Sequence, residues 1–243
     1  GGPMPAVGAA PFDAVVAEDP LTLGLAHATG TPIRGLEACA AIEGRVLVDW
    51  SPGTAGAAAA AEALDALVAE LLDAGIVMLP QGRDVPNLTL TNQDGEQVSM
   101  EALKGRWNLL FFGYTFCPDI CPATLAELRQ LGSKLPEDAK QRMQPILVSV
   151  DPERDTPAQL KKYLDYFGAE FIGLTGPLED IQSLANAVGV PFIPADTSKE
   201  DYTVDHGGNL ALIGPDGRLR GFVRGPLRTD KLAEQLPAVL ALE

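Results

Sequence analysis

From residue 81 onward the 243-residue chain predicts an α/β domain, a mixed sheet flanked by helices, preceded by an alanine-rich N-terminal extension. Three observations predict it. Trp107–Gly113 and Pro145–Val150 are short, nearly continuous apolar runs, the pattern of strands buried on both faces. Amphipathic helical segments alternate with them. Hairpin signals stand at both ends of the domain, at Asp94-Gly95 and at Gly214-Pro215-Asp216-Gly217.

The extension, residues 1–80, differs in composition from the rest of the chain. It holds twenty alanines, no lysine, two aromatics (Phe12 and Trp50) and ten acidic against two basic residues. The boundary is placed at Pro80 to Pro86, with the domain at 81–243. Within the extension, 57–74 reads as an amphipathic helix. Leu64, Leu67, Val68, Leu71 and Leu72 recur at helical spacing, with Glu62, Asp65, Ala69 and Asp73 opposite and Gly75 as the stop. Such a helix packs on its own domain or a partner, or descends from a membrane anchor. Residues 1–55 carry no motif.

In the domain, Leu88 to Val98 forms a hairpin around Asp94-Gly95, and Trp107–Gly113 a buried strand. Ala123 to Leu131 is a helix and Pro145–Val150 a second buried strand. Thr156 then caps a helix to Phe167, with Pro157 in its first turn. Phe171 to Leu174 is a short strand and Leu178 to Val188 a helix. Asn209 to Ile213 and Leu219 to Val223 pair across the second turn, and Thr229 to Ala241 closes the domain as a helix.

With 46% hydrophobic and 21% charged residues the chain can bury a core. A balance of 33 acidic to 18 basic residues, net charge −15, argues against sequence-independent nucleic-acid binding, which needs a basic face. The longest stretch free of charge, Ile181 to Ala195, is 15 residues, short of the roughly 18 of a spanning helix. The start Gly1-Gly2-Pro3-Met4 is unlike a native initiator and leaves room for an upstream export signal or anchor.

Three cysteines are too few for a disulfide scaffold. Cys39 stands alone, as does His27, and both are read as buried or incidental. Cys117 and Cys121 form a Cys-x-x-x-Cys pair directly after a buried strand, where open α/β sheets place ligands. Pro118 and Pro122 put the helix start near Pro122, with Cys121 as N-cap. Both thiols would then feel the helix N-terminus and fall below their free pKa of about 8.5. Three intervening residues suit two ligands on one metal better than dithiol exchange. His206, just before the strand at Leu210, could add an imidazole, with Asp205 as its supporting partner. Two thiolates and an imidazole suit Cu(I), and with water also zinc. Arg154 and Asp155 are read as ordering the strand-to-helix loop.

Three runs carry a family resemblance: Phe112-Gly-Tyr-Thr-Phe-Cys117-Pro-Asp-Ile-Cys121-Pro, then Ser149-Val-Asp-Pro-Glu-Arg-Asp155-Thr-Pro157, then Val204-Asp-His206. Their order and content resemble the Sco (SenC/PrrC) family of copper chaperones over about residues 80–243. The resemblance implies a thioredoxin-like fold with an inserted hairpin and a copper site of Cys117, Cys121 and His206. It also implies a role in assembling the CuA centre of cytochrome c oxidase, with subunit II as partner and another periplasmic copper chaperone as a possible second one. Members are tethered to the outer face of the bacterial cytoplasmic membrane, so the expected location is periplasmic, with the anchor missing from this sequence. Gly207 departs from the serine that often follows the histidine.

The competing reading is an enzyme, a thiol-disulfide oxidoreductase using Cys117 and Cys121 as a redox pair without metal. A peroxidase of the peroxiredoxin type is disfavoured, because the Pro-x-x-x-Thr-x-x-Cys pattern is absent around both cysteines. A third reading makes the acidic extension a binding module.

Overall fold

The structure, a computed structural model, describes residues 55–168, 170–198 and 201–242. Cys39, His27 and the first 54 residues lie outside the described residues. The elements are helix α1 (Ala55–Ala74), strands β1 (Ile76–Arg83), β2 (Thr89–Asn92) and β3 (Gln97–Ser99), a 3-10 turn (Met100–Leu103), β4 (Trp107–Gly113), α2 (Ile120–Lys134), α3 (Glu137–Arg142), β5 (Met143–Ser149), α4 (Pro157–Phe167), β6 (Ile172–Thr175), α5 (Leu178–Ala187), β7 (Leu210–Ile213), β8 (Leu219–Val223) and α6 (Thr229–Leu240). The sheet belongs to the compact unit Glu70–Glu243, which includes the last turn of α1. In that turn Leu71 is buried while Leu72 is 47% exposed. Adjacent helical residues point about 100° apart, so the two leucines expected on one apolar face do not share it.

All eight strands form one sheet in the order β1-β8-β7-β4-β5-β6-β2-β3. β4 pairs in parallel with β5, and β5 with β6, whereas β4 meets β7 antiparallel. Parallel neighbours require crossovers, supplied here by α2 with α3 and by α4. The strands β4, β5, β7 and β8 with α2 and α6 make a thioredoxin-like core. The hairpin β2–β3 is added at the far edge through the antiparallel pairing of β2 with β6. Every residue of β4 is buried, because this strand has neighbours on both edges and helices on both faces.

The first strand, β1, crosses the compositional boundary at Pro80. It is an edge strand, so proline costs no ladder bond on its open side. It closes on β8 with Met78 opposite Gly221. A Cβ added at Gly221 would lie 2.3 Å from the carbonyl oxygen of Val77, so only glycine lets the two strands approach. Among the described residues no helix is long and apolar enough to cross a membrane.

Gly221→Ala is expected to destabilise the domain by about 1–3 kcal/mol, the usual cost of overpacking. The loss should appear first as faster amide exchange at Val77 and Phe222. Unchanged protection at both would show that β1 accommodates the methyl group.

Candidate metal centre

β4 ends at Gly113, and the chain passes through Tyr114, Thr115 and Phe116 to Cys117, whose N–H donates to the Tyr114 carbonyl at 3.3 Å. Helix α2 begins at Ile120 with Asp119 as N-cap. The helix therefore starts two residues earlier than the prolines suggested, and Cys121 lies inside its first turn rather than at the cap. Pro122 is tolerated because first-turn N–H groups have no intrahelical acceptor.

This placement buries Cys121 completely. Its Sγ fills the space that a side chain at residue 113 would occupy: a Cβ on Gly113 would come within 2.7 Å of the sulfur. The Tyr114 N–H donates to the sulfur at 3.4 Å. Burial nevertheless pushes the Cys121 thiol well above its ordinary pKa, because the thiolate would lose its hydration. The expected acidification of both thiols by the helix terminus therefore fails at Cys121. Cys117 is only half-buried.

His206 is delivered by the segment entering β7, the antiparallel neighbour of β4. Its Nε2 lies 3.3 Å from the Cys121 Sγ, and the three ligand atoms of Cys117, Cys121 and His206 all lie within 4.8 Å of one another. Nδ1 is 3.2 Å from the Gly207 carbonyl oxygen. A carbonyl only accepts, so the proton is assigned to Nδ1 and the Nε2 lone pair faces the sulfurs. The Gly207 carbonyl is thus a hydrogen-bond partner of the imidazole, while the charge of Asp205 and the Phe112 backbone also act on the ring. Asp205 contributes its carbonyl, which accepts from the Ile193 N–H at 2.9 Å. Burial lowers the His206 pKa and keeps the ring neutral, the state a ligand needs. The edges of Phe111 and Tyr114 pack around the ring at 5.9 and 5.5 Å between centroids. The departure at Gly207 is sterically silent, since a Cβ there would meet nothing within 4 Å.

Cys121 Sγ and His206 Nε2, 3.3 Å apart, are close enough to share one ion, and Cys117 Sγ lies within 4.8 Å of both. The donor set is soft and the imidazole is already in the ligating tautomer, so the residues suit a thiophilic metal.

The loops carrying the donors are braced from below. Asp155 is fully buried and accepts from the Thr115 N–H at 3.1 Å, the Thr115 hydroxyl at 2.6 Å and the Ser149 hydroxyl at 2.7 Å. Burial raises its pKa, against the lowering effect of these donors. Sequence reasoning assigned Asp155 and Arg154 this ordering role but missed Tyr114 and Tyr202. Tyr114 is buried, and its hydroxyl accepts from the Val204 N–H at 3.3 Å. It sat within the cysteine-bearing run, which was a signal, whereas Tyr202 stands among polar residues without one.

Fold and site together define a thioredoxin-like protein with a Cys-Cys-His group that could hold a metal ion. The sequence model of the SCO1/SenC family matches residues 80–241. The chain belongs to that family. A Stutzerimonas stutzeri protein whose name attributes copper binding to it is 53% identical over 171 residues, 70% of this chain and 84% of that one. The mitochondrial SCO1 homolog 1 of Arabidopsis thaliana is 39% identical over 128 residues, 53% of this chain, and this chain spans only 38% of its length. Among solved structures, Arabidopsis thaliana ScoI with copper bound superposes with TM-score 0.58 at 34% identity, over 64% of this chain and 97% of that one. BsSco, described through a disulfide switch in a member of the Sco family of cytochrome c oxidase assembly proteins, gives TM-score 0.56 at 29% identity, over 69% and 99%.

Gly113→Ala should displace the Cys121 sulfur and cost about 1–3 kcal/mol through overpacking, read by chemical denaturation. A stability equal to wild type would show that the sulfur has room to move. For Asp155, a folded pKa above the unfolded value of about 3.9 contributes stability fully present below that value and lost as pH rises through the folded pKa. Comparison with Asp155→Asn by denaturation from pH 3.5 to 7 should therefore show wild type losing ground to the variant as pH increases. A difference independent of pH would contradict the assigned shift.

Proposed function

We propose that this protein carries copper, held as cargo by Cys117, Cys121 and His206, and assists assembly of the CuA centre of cytochrome c oxidase. The observation that carries the reading is the 3.3 Å approach of His206 Nε2 to the Cys121 sulfur, which completes a three-donor soft site. Dithiol exchange needs no imidazole brought from 85 residues away along the chain. Support comes also from the copper bound in the structure of the Arabidopsis relative and from the assembly role attached to the family of BsSco.

In this reading the chain's residues divide the work. His206 presents a neutral lone pair without needing to lose a proton. Cys121 holds its proton until metal arrives and releases it on ligation, as any thiol ligand must. Cys117, half-buried, is the donor that an approaching partner reaches first. Copper supplies the thiophilic cation that the three donors match. The partner is the CuA domain of oxidase subunit II, with another periplasmic copper chaperone as a source of the ion. The place of action is the periplasmic face of the bacterial inner membrane.

A second reading draws on the unequal exposure of the two sulfurs. A half-buried attacking thiol beside a fully buried one suits a thiol-disulfide reductase. Here the Cys117–Cys121 disulfide would form as two electrons and two protons pass to a target disulfide, which opens to two thiols. Such chemistry would ready the oxidase cysteines for copper, using the same sulfurs.

Titration of the reduced protein with Cu(I), Cu(II) and Zn(II) separates the two. Tight Cu(I) binding, with sulfur-to-copper charge-transfer absorption for Cu(II), is expected. His206→Ala should weaken Cu(I) binding by more than the roughly 10–100-fold typical of lost outer partners, while the dithiol stays reactive. Failure of the wild type to bind copper would transfer the assignment to the reductase.

A further inference from the structure

His206 lies in a segment with no regular structure between the isolated bridge at Asp205 and the start of β7 at Leu210. What holds that segment against the cysteine loop is a cluster built on one guanidinium. Arg154 pairs through Nε with the Asp151 carboxylate, itself only 3% exposed. The guanidinium lies 3.6 Å from the centroid of the Tyr202 ring, four residues before His206, and one of its amino groups donates to the Tyr202 carbonyl at 3.2 Å. The Tyr202 hydroxyl returns to the other oxygen of Asp151 at 2.8 Å. The same guanidinium stands 4.9 Å from the ring of Phe116, the residue before Cys117, and 5.7 Å from that of Tyr114. Tyr114 in turn accepts from Val204 and packs its edge on His206. One side chain therefore touches both the cysteine-bearing segment and the histidine-bearing one.

We infer that Arg154, locked by Asp151 and Tyr202, is a positioning residue that holds His206 in reach of the two sulfurs. The inference deepens the copper reading and rests on it. With the clamp closed, Cys117 and Cys121 share a third donor. With the clamp open they are left as a plain dithiol, so Arg154 sets the balance between the two chemistries that the sulfurs can perform. Arginine is required because the planar fork bonds Asp151 and Tyr202 while its face covers aromatic rings, which a lysine ammonium cannot reproduce.

The test is a double-mutant cycle on the full chain, with Cu(I) affinity measured by chelator competition. Arg154→Lys leaves a cation for the buried Asp151 but removes the fork and the stacking. It should weaken Cu(I) binding about 10–100-fold, the range for lost outer partners. Adding it to His206→Ala should cost nothing further, since the clamp acts through the histidine. In the reduced metal-free protein, amide exchange of Tyr202 to His206 should accelerate, while the rate of thiol-disulfide exchange at Cys117 stays at the wild-type value. Should Arg154→Lys lose its near-ultraviolet circular dichroism, Tyr202→Leu carries the same expectations and spares the Arg154–Asp151 pair. Unchanged Cu(I) affinity in either folded variant, or a full additional loss in the double variant, overturns the role of Arg154. If the wild type binds no Cu(I), or His206→Ala binds as wild type does, the copper reading itself has failed and the inference falls with it.

Discussion

The Cys121 sulfur occupies the space where residue 113 would carry a side chain, and the arrangement of the centre depends on that contact. Because Gly113, at the end of the fully buried strand β4, carries no side chain, the sulfur takes that space beside the side chains of Phe111 and Leu147. It is also aimed across the β4–β7 boundary, where His206 enters. The sheet creates this opportunity. β4 runs parallel to β5 on one side and antiparallel to β7 on the other, so the segment entering β7 arrives at the carboxyl end of β4, beside the cysteine loop. Glycine at the strand end and histidine at the neighbouring strand's entrance are two parts of one geometric solution.

Burial has opposite consequences for the two kinds of donor. It raises the thiol pKa of Cys121 and lowers the pKa of His206, so both are driven to their neutral forms. Without metal, these two donors add no charge to the buried region. Asp155, buried below, is handled differently: it keeps three hydroxyl and amide donors around its oxygens. Its carboxyl ties the loop after β4 to the end of β5, so the cysteine segment is anchored to the sheet.

Much of this was legible in the sequence where one local rule dominates. The limits of β4 were set by a nearly continuous apolar run ending in glycine, and α4 by a threonine cap whose hydroxyl accepts from the Gln159 N–H, followed by proline. The three donors were visible because soft ligand types are scarce in this chain. Features decided by tertiary context were not legible. β1 combines Ile76 to Leu79 with Pro80 and a polar tail, and only its place at the sheet edge makes that a strand. Helix α3 spans Glu137–Arg142, is short and polar, and lacks the periodicity that would announce it. The start of α2 and the acidity of Cys121 were both misjudged for one reason. Local rules for proline and helix termini do not register that the sulfur is sealed beneath the end of β4. Tyr202 is a single aromatic in a polar stretch, and its meaning exists only once Arg154 lies across it.

The acceptor for the imidazole Nδ1–H is the carbonyl of the very next residue, part of the main chain. Histidine ligands are oriented by a carboxylate, a backbone carbonyl or a water, and of these only the carboxylate can be deleted by a single substitution. Here the instruction for which nitrogen faces the metal is written in the course of the backbone, and no exchange of side chains erases the oxygen that reads it. The side chain at 207 is therefore free to vary, as the glycine there illustrates, provided that the path of the chain is kept. The tautomer is inherited with the fold rather than with any particular neighbour.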